Sequence, residues 1–186
     1  MNLSDKIWWT RKSKIEQETR LLKYEFHSQL LLIWFSFFTV AISILQLNQN
    51  NLVPFHPSSL LIFSVLTLVM SCIVSAQKFS SRAEKVKSCY EKLNTLYIRA
   101  KNGEDINQEY EYTLNECENH SQNDHFISRV NIYFLTPKSK RKIDIEPPLV
   151  FKDFFECLIY KIKYYFFILI LYSLSFTSAA ILTKYA

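Results

Sequence analysis

Two uninterrupted apolar runs of 18 residues, Leu30–Leu47 and Leu60–Gln77, stand on either side of the polar, proline-containing stretch NQNNLVPFHPSS at positions 48–59. Eighteen helical residues reach about 27 Å, close to the ~30 Å hydrocarbon core of a bilayer. Pro54 and Pro57 interrupt a continuous helix, and the amides around them suit a short turn in water or headgroups. The pattern predicts a transmembrane hairpin over 30–77. A third run, 164–183, has 20 residues between Lys163 and Lys184. Its entry is rich in aromatics (Tyr160, Tyr164, Tyr165, Phe166, Phe167), as expected at headgroup level. Three spans are expected.

Outside these runs the spacing becomes that of half-buried helices. From Phe79 onward the apolar positions are Phe79, Ala83, Val86, Tyr90, Leu93, Tyr97 and Ala100, one helix face at a near-heptad period, and Asn102-Gly103 is a stop signal. Ahead of the first run, Trp8, Ile15, Thr19, Leu22 and Phe26 trace a similar stripe through an amphipathic helix over 1–29. Two helices of matching reach are expected to pack antiparallel as a stalk beneath the hairpin, within a helical region over 78–135. If the first is straight, Trp8 and Trp9 lie far from the bilayer; a kink would lay them on the membrane surface. Glu104–Cys117 suits one more helix with Ile106, Tyr110 and Leu114 on a shared face. Asn119–Asp124 suits a turn, and 126–135 is too short and mixed to assign. A basic, proline-ended linker over 136–148 leads to an amphipathic approach helix, 149–163. There Phe151, Phe154, Phe155, Leu158 and Ile162 alternate with charged residues. The expected fold class is an all-α integral membrane protein: a transmembrane hairpin extended by long cytoplasmic helices, plus a third, C-terminal transmembrane helix.

Charge sharpens this picture. The 186 residues carry 22 basic and 17 acidic side chains, yet none lies between Glu25 and Lys78. Six basic residues precede the first run (Lys6, Arg11, Lys12, Lys14, Arg20, Lys23), seven follow the second between Lys78 and Lys101, and the connecting turn has none. The positive-inside rule therefore places both flanks in the cytoplasm and the short C-terminus outside. No cleavable signal peptide is visible, because the first apolar run begins behind a long charged segment, so this run is expected to be an uncleaved anchor.

Composition removes several enzyme classes. One glycine, Gly103, leaves no phosphate loop, dinucleotide fingerprint or nucleophile elbow. The four cysteines (Cys72, Cys89, Cys117, Cys157) are spread singly without a Cys-x-x-Cys, so a metal site or disulfide scaffold has little support. Cys117, His120 and His125 fit no structural zinc spacing. No catalytic constellation stands out, so no enzyme activity, cofactor or metal is expected.

The most informative polar residues lie within the apolar runs. Ser36, Thr39, Ser43 and Gln46 share one face of the first, and Ser64, Thr67, Ser71 and Ser75 share one face of the second. Such rows serve close helix packing, or line water when several copies assemble; both roles stay open. In the third run, Ser175 and Ala179 form a small-xxx-small pair suited to packing. No charge sits at mid-membrane depth, which disfavours an ion-coupled transporter. The basic cluster Lys138, Lys140, Arg141 and Lys142 suits anionic lipid headgroups, and nucleic acid is disfavoured because no aromatic platform interleaves with it.

Three segments carry a family resemblance. They are WWTRKSKIEQETRLLKYEFHSQLLLIWFSFFTVAISIL, then SVLTLVMSCIVSAQKFSSRAEKVKSCYEKLNTLY, then YEYTLNECENHSQND. Together, over roughly residues 5–130, this arrangement resembles the SLATT domain, the SMODS- and SLOG-associating two-transmembrane effector domain of prokaryotic conflict systems. The third run is similar to C-terminal additions in one subgroup. The resemblance implies an antiviral effector in the bacterial inner membrane that breaches that membrane and causes abortive infection. It also implies a homo-oligomer in membrane lipid, and a partner protein that is a nucleotide-signal synthase, a nucleotide sensor or reverse-transcriptase-like. A different class, a membrane anchor that recruits a soluble partner through its helices, fits the same residues.

Overall fold

The computed structural model describes residues 2–47, 57–138, 140, 149 and 151–184, without the side chains of 46–47, 57–59 and 178–184. Residues 48–56 of the expected turn, most of the linker 136–148, and the side chains of Gln46, Arg141, Lys142 and Ala179 lie outside the described residues, while positions 57–59, expected in the turn, instead open the second helix. Among the described residues six helices follow one another: α1 (Leu3–Leu47), α2 (Pro57–Gln77), α3 (Phe79–Lys101), α4 (Asn107–Asn115), α5 (Gln122–Leu135) and α6 (Phe151–Lys184). Among the described residues there is no strand, so the all-α expectation holds. Two stretches, Leu3–Leu45 and Leu60–Lys101, contain windows long and apolar enough to cross a membrane.

α1 is one helix of 45 residues, about 68 Å long. Its amphipathic part and its first apolar run are therefore continuous. The expected approach helix and third apolar run are likewise one 34-residue helix, α6. By contrast, α2 and α3 are separated at Lys78, whose φ of 47° is left-handed. α3 ends where Asn102-Gly103 predicts. Gly103 takes φ 87°, and its N–H and that of Glu104 bond back to Ala100 and Arg99 at 3.1 and 3.2 Å.

The chain divides into two compact units. The first comprises Met1–Lys23 and Phe79–Lys163. In it α1 packs antiparallel along α3: Ile7 clusters with Cys89, Leu93, Leu96, Ile106 and Tyr110, while Leu21 clusters with Ala83 and Val86. Of the expected α3 stripe, Ala83, Val86 and Leu93 are buried and Phe79, Tyr90, Tyr97 and Ala100 are half-buried, while Cys89 and Leu96 join the buried face. α4 forms with Ile106 and Tyr110 buried and Leu114 packed beside them.

The α1 stripe does not lie where its apolar residues point. Leu22 and Phe26 are exposed, and the buried positions are Ile7, Trp9, Ser13, Lys14, Gln17 and Leu21. Polar side chains occupy this face because they have backbone and histidine partners across the unit. The approach segment is also turned: Phe151, Phe154, Phe155, Leu158 and Ile162 are exposed, whereas Asp153 and Cys157 are buried. α5 is an ordered helix beginning within the expected turn. Ser121 caps it, its hydroxyl accepting from the Asp124 N–H at 3.2 Å while the Asp124 carboxylate accepts from the Ser121 N–H at 2.8 Å.

The second unit comprises Tyr24–Lys78 and Tyr164–Ala186. Aromatic rings join its helices. Phe38 meets Phe63 of α2 at 6.3 Å and Phe176 of α6 at 5.8 Å, and Tyr24 and His27 meet Tyr164 at 5.8 and 6.0 Å. Around this narrow seam the apolar side chains face outward. Ile33, Phe37, Leu61, Leu68, Phe166 and Leu169 are each more than 60% exposed, an apolar surface poorly suited to water and well suited to lipid.

Candidate functional site

Two groups of residues stand out, one in each unit. In the first unit, α1 holds the connection between α4 and α5 by its backbone. Lys14 Nζ donates to the Glu118 carbonyl, and Gln17 Nε2 donates to the carbonyls of Glu118 and Asn119 at 3.4 and 3.3 Å. Both side chains are fully buried. Burial lowers the Lys14 pKa, against the opposing pull of the nearby Glu118 and Asp124 carboxylates. The Glu118 side chain faces α3 and takes two bonds from Arg82, at 2.9 and 2.6 Å. Its carboxyl accordingly sits below its ordinary value, the Arg82 hydrogen bond being the largest cause.

Further contacts close this polar core. Arg20 forks onto Asp124 at 2.8 and 3.0 Å, and Asn131 Nδ2 donates to Glu16 at 2.7 Å. Arg129 pairs with Asp153 at 2.7 Å, joining α5 to α6. Ser13 Oγ lies 3.1 Å from His125 Nδ1, and the His125 ring packs edge-on to Trp9 at 5.9 Å. Trp9 is thus a core residue of this unit. Burial depresses both His120 and His125 below the ordinary histidine value. Lys14 adds to the depression of His120, and Arg129 to that of His125.

Cys117 is not grouped with His120 and His125 as a metal set. Its sulfur is bonded to that of Cys89, 28 residues earlier on α3. The sequence carries no signal for this pairing, which depends on α4 folding back along α3. Gln17, Lys14 and Asp153 also escape sequence reasoning, because polar residues in a core are legible only with their partners. The one local signal was Ser121-x-x-Asp124, a capping pattern.

In the second unit, four hydroxyls of the rows are bonded to their own helices. Thr39 donates to Phe35 O and Ser43 to Thr39 O, both at 2.8 Å; Ser64 donates to Leu60 O at 2.8 Å and Thr67 to Phe63 O at 2.9 Å. Ser36, Ser64, Ser71 and Ser75 are exposed, and Thr39, Ser43 and Thr67 are half-buried. Ser175 is different: fully buried, it accepts a bond from the Trp34 indole N–H at 3.0 Å. Of the basic cluster, Lys138 and Lys140 are exposed.

An apolar helical unit wrapped in outward-facing hydrophobic side chains, together with a helical unit cored by charged and hydroxyl groups, defines an all-helical membrane protein. The profile of the SMODS and SLOG-associating 2TM effector domain family 5 matches residues 1–182, and the chain belongs to that family. It is a membrane effector domain of defence-associated systems. No curated protein and no solved structure matches the chain.

Proposed function

We propose that this chain is a multi-pass, non-enzymatic effector of the bacterial inner membrane. Its N-terminus and first unit are cytoplasmic and its C-terminus is outside. α6 supplies a third span. On a signal from a defence-system partner, copies assemble and permeabilise the membrane, so that an infected cell dies or stops growing before phage is released. The partner is a nucleotide-signal synthase, a sensor or a reverse-transcriptase-like protein, as the family's associations suggest.

The observation that carries this reading is the state of the hydroxyl rows. Thr39, Ser43, Ser64 and Thr67 give their protons to carbonyls of their own helices, so they satisfy their donors without a partner helix. Each oxygen keeps a lone pair for water or for a neighbouring subunit. Ser36, Ser71 and Ser75 extend the rows on exposed positions. The test replaces Thr39 and Ser71 by leucine, at matched membrane insertion. Loss of depolarisation and of toxicity is expected; conductance that survives both changes removes the pore-lining assignment.

A second reading, a membrane anchor that recruits a soluble partner, is favoured by the first unit, whose polar core gives it a defined shape of its own. Exchanging the apolar runs for unrelated spans of equal length separates the two. An anchor keeps its activity after the exchange, and a pore loses it.

A further inference from the structure

We propose that Cys89 and Cys117 form a reversible thiol latch that sets how firmly the α4–α5 connection is held between α1 and α3. This rests on the cytoplasmic placement of the first unit proposed above. Cys89 is buried on the inner face of α3, and Cys117 is half-buried just beyond the end of α4, with 6.4 Å between their Cα atoms. The residue after Cys117 is the point on which the neighbouring helices converge. The Glu118 side chain is held by Arg82 of α3, and its carbonyl is held by Lys14 and Gln17 of α1. The sulfur bridge therefore fixes to α3 the same short segment that α1 grips by its backbone.

Two features make the bridge a switch rather than a scaffold. First, the cytoplasm keeps thiols reduced, so a disulfide there forms transiently. Second, the contacts around the bridge do not need it. Ile7, Leu93, Ile106 and Tyr110 pack on one side, and Lys92 pairs with Glu116 at 2.6 Å on the other. Reduction therefore loosens the segment without dissolving the core.

The chemistry balances with a hydroperoxide as oxidant. The Cys117 thiolate, on the half-buried sulfur, attacks the peroxide oxygen. The O–O bond breaks, and the leaving hydroxide takes up a proton to become water. The resulting sulfenic acid is attacked by the Cys89 sulfur, forming the S–S bond and releasing a second water. Two thiols lose two electrons, and one hydrogen peroxide becomes two water molecules. A small-molecule thiol reverses the step by exchange.

The test uses the full chain in cells and in lipid nanodiscs. In cells, thiols are trapped with an alkylating reagent before and after a hydrogen peroxide pulse. Free cysteines before the pulse and a Cys89–Cys117 bridge after it are expected. In nanodiscs, reduction should speed amide exchange across residues 116–121 by about tenfold, and the Cys89→Ser/Cys117→Ser pair should exchange at the fast rate with or without reductant. Cysteines that stay free after peroxide overturn the latch and leave the cytoplasmic placement standing. A bridge already complete in unstressed cells overturns both. Exchange unchanged by reduction, with the bridge shown to open, also overturns the latch.

Discussion

Arg129 Nη1 lies 2.7 Å from Asp153 Oδ2, and only 9% and 8% of the two side chains are exposed. This ion pair ties α5 to the start of α6, the helix that continues into the third apolar run. Removing one member of a buried pair leaves the other charge uncompensated. Asp153→Ala should therefore cost about 3–5 kcal/mol, while replacing both members by well-packed apolar residues should be far less damaging. Denaturant unfolding followed by helical circular dichroism, on the single and double variants, checks this. Equal losses in the two would mean that the pair is not what is being measured.

Asp124 has two roles on separate partners. Its carboxylate receives the Arg20 fork and also closes the cap at Ser121. Asp124→Ala loses both and should cost about 3 kcal/mol, the sum of a helix cap and charge-assisted hydrogen bonds. Asp124→Asn keeps an acceptor for the cap and should lose less. Arg20→Met removes the fork and leaves the cap. The order alanine, then asparagine, in destabilisation is the outcome to look for.

Acidification should weaken the first unit through its histidines. His120 and His125 have folded-state pKa values below their unfolded values, burial being the largest cause for each. For a depressed pKa the stabilisation is fully present above the unfolded value, about 6.5, and is lost as pH falls through the folded value. Protonation would place positive charge beside Lys14 in one case and Arg129 in the other. Melting temperature should therefore drop below about pH 6.5, before the carboxylates titrate. His120→Asn/His125→Asn should flatten that part of the profile. Glu118 acts in a lower window, because Arg82 holds its pKa below the ordinary carboxylate value.

Trp34 and Ser175 set a sharp requirement in the second unit. The indole N–H has the serine oxygen as acceptor at 3.0 Å, in a place where Ser175 is fully buried. Ser175→Ala should cost about 1 kcal/mol, the usual scale of such a bond between apolar helices. Ser175→Leu should cost more, because added methylenes have no space at a closed contact. Thermal unfolding in detergent micelles distinguishes the two, and an unaffected leucine variant would show that this contact is open.

The apolar runs, the α3 stripe and the stop at Gly103 were legible along the chain. Each expresses a local property: a long absence of charge, a periodicity, a residue able to take positive φ. The family pattern was legible for the same reason, since it is written in short contiguous segments. Lys14 and Gln17 read as ordinary exposed helix positions because their partners, the carbonyls of Glu118 and Asn119, lie about a hundred residues away. Cys89 and Cys117 looked isolated until α4 folded back along α3, and Asp153 looked solvated until Arg129 reached it. Local pattern along the chain settles where it is apolar, where most of its helices run and which family it belongs to, but not α5, whose residues 126–135 carry no clear periodicity. Which face of α1 and of α6 is buried depends on contacts between distant segments. A polar side chain goes inside when a matching donor or acceptor from a distant segment meets it there, and no local spacing records that meeting.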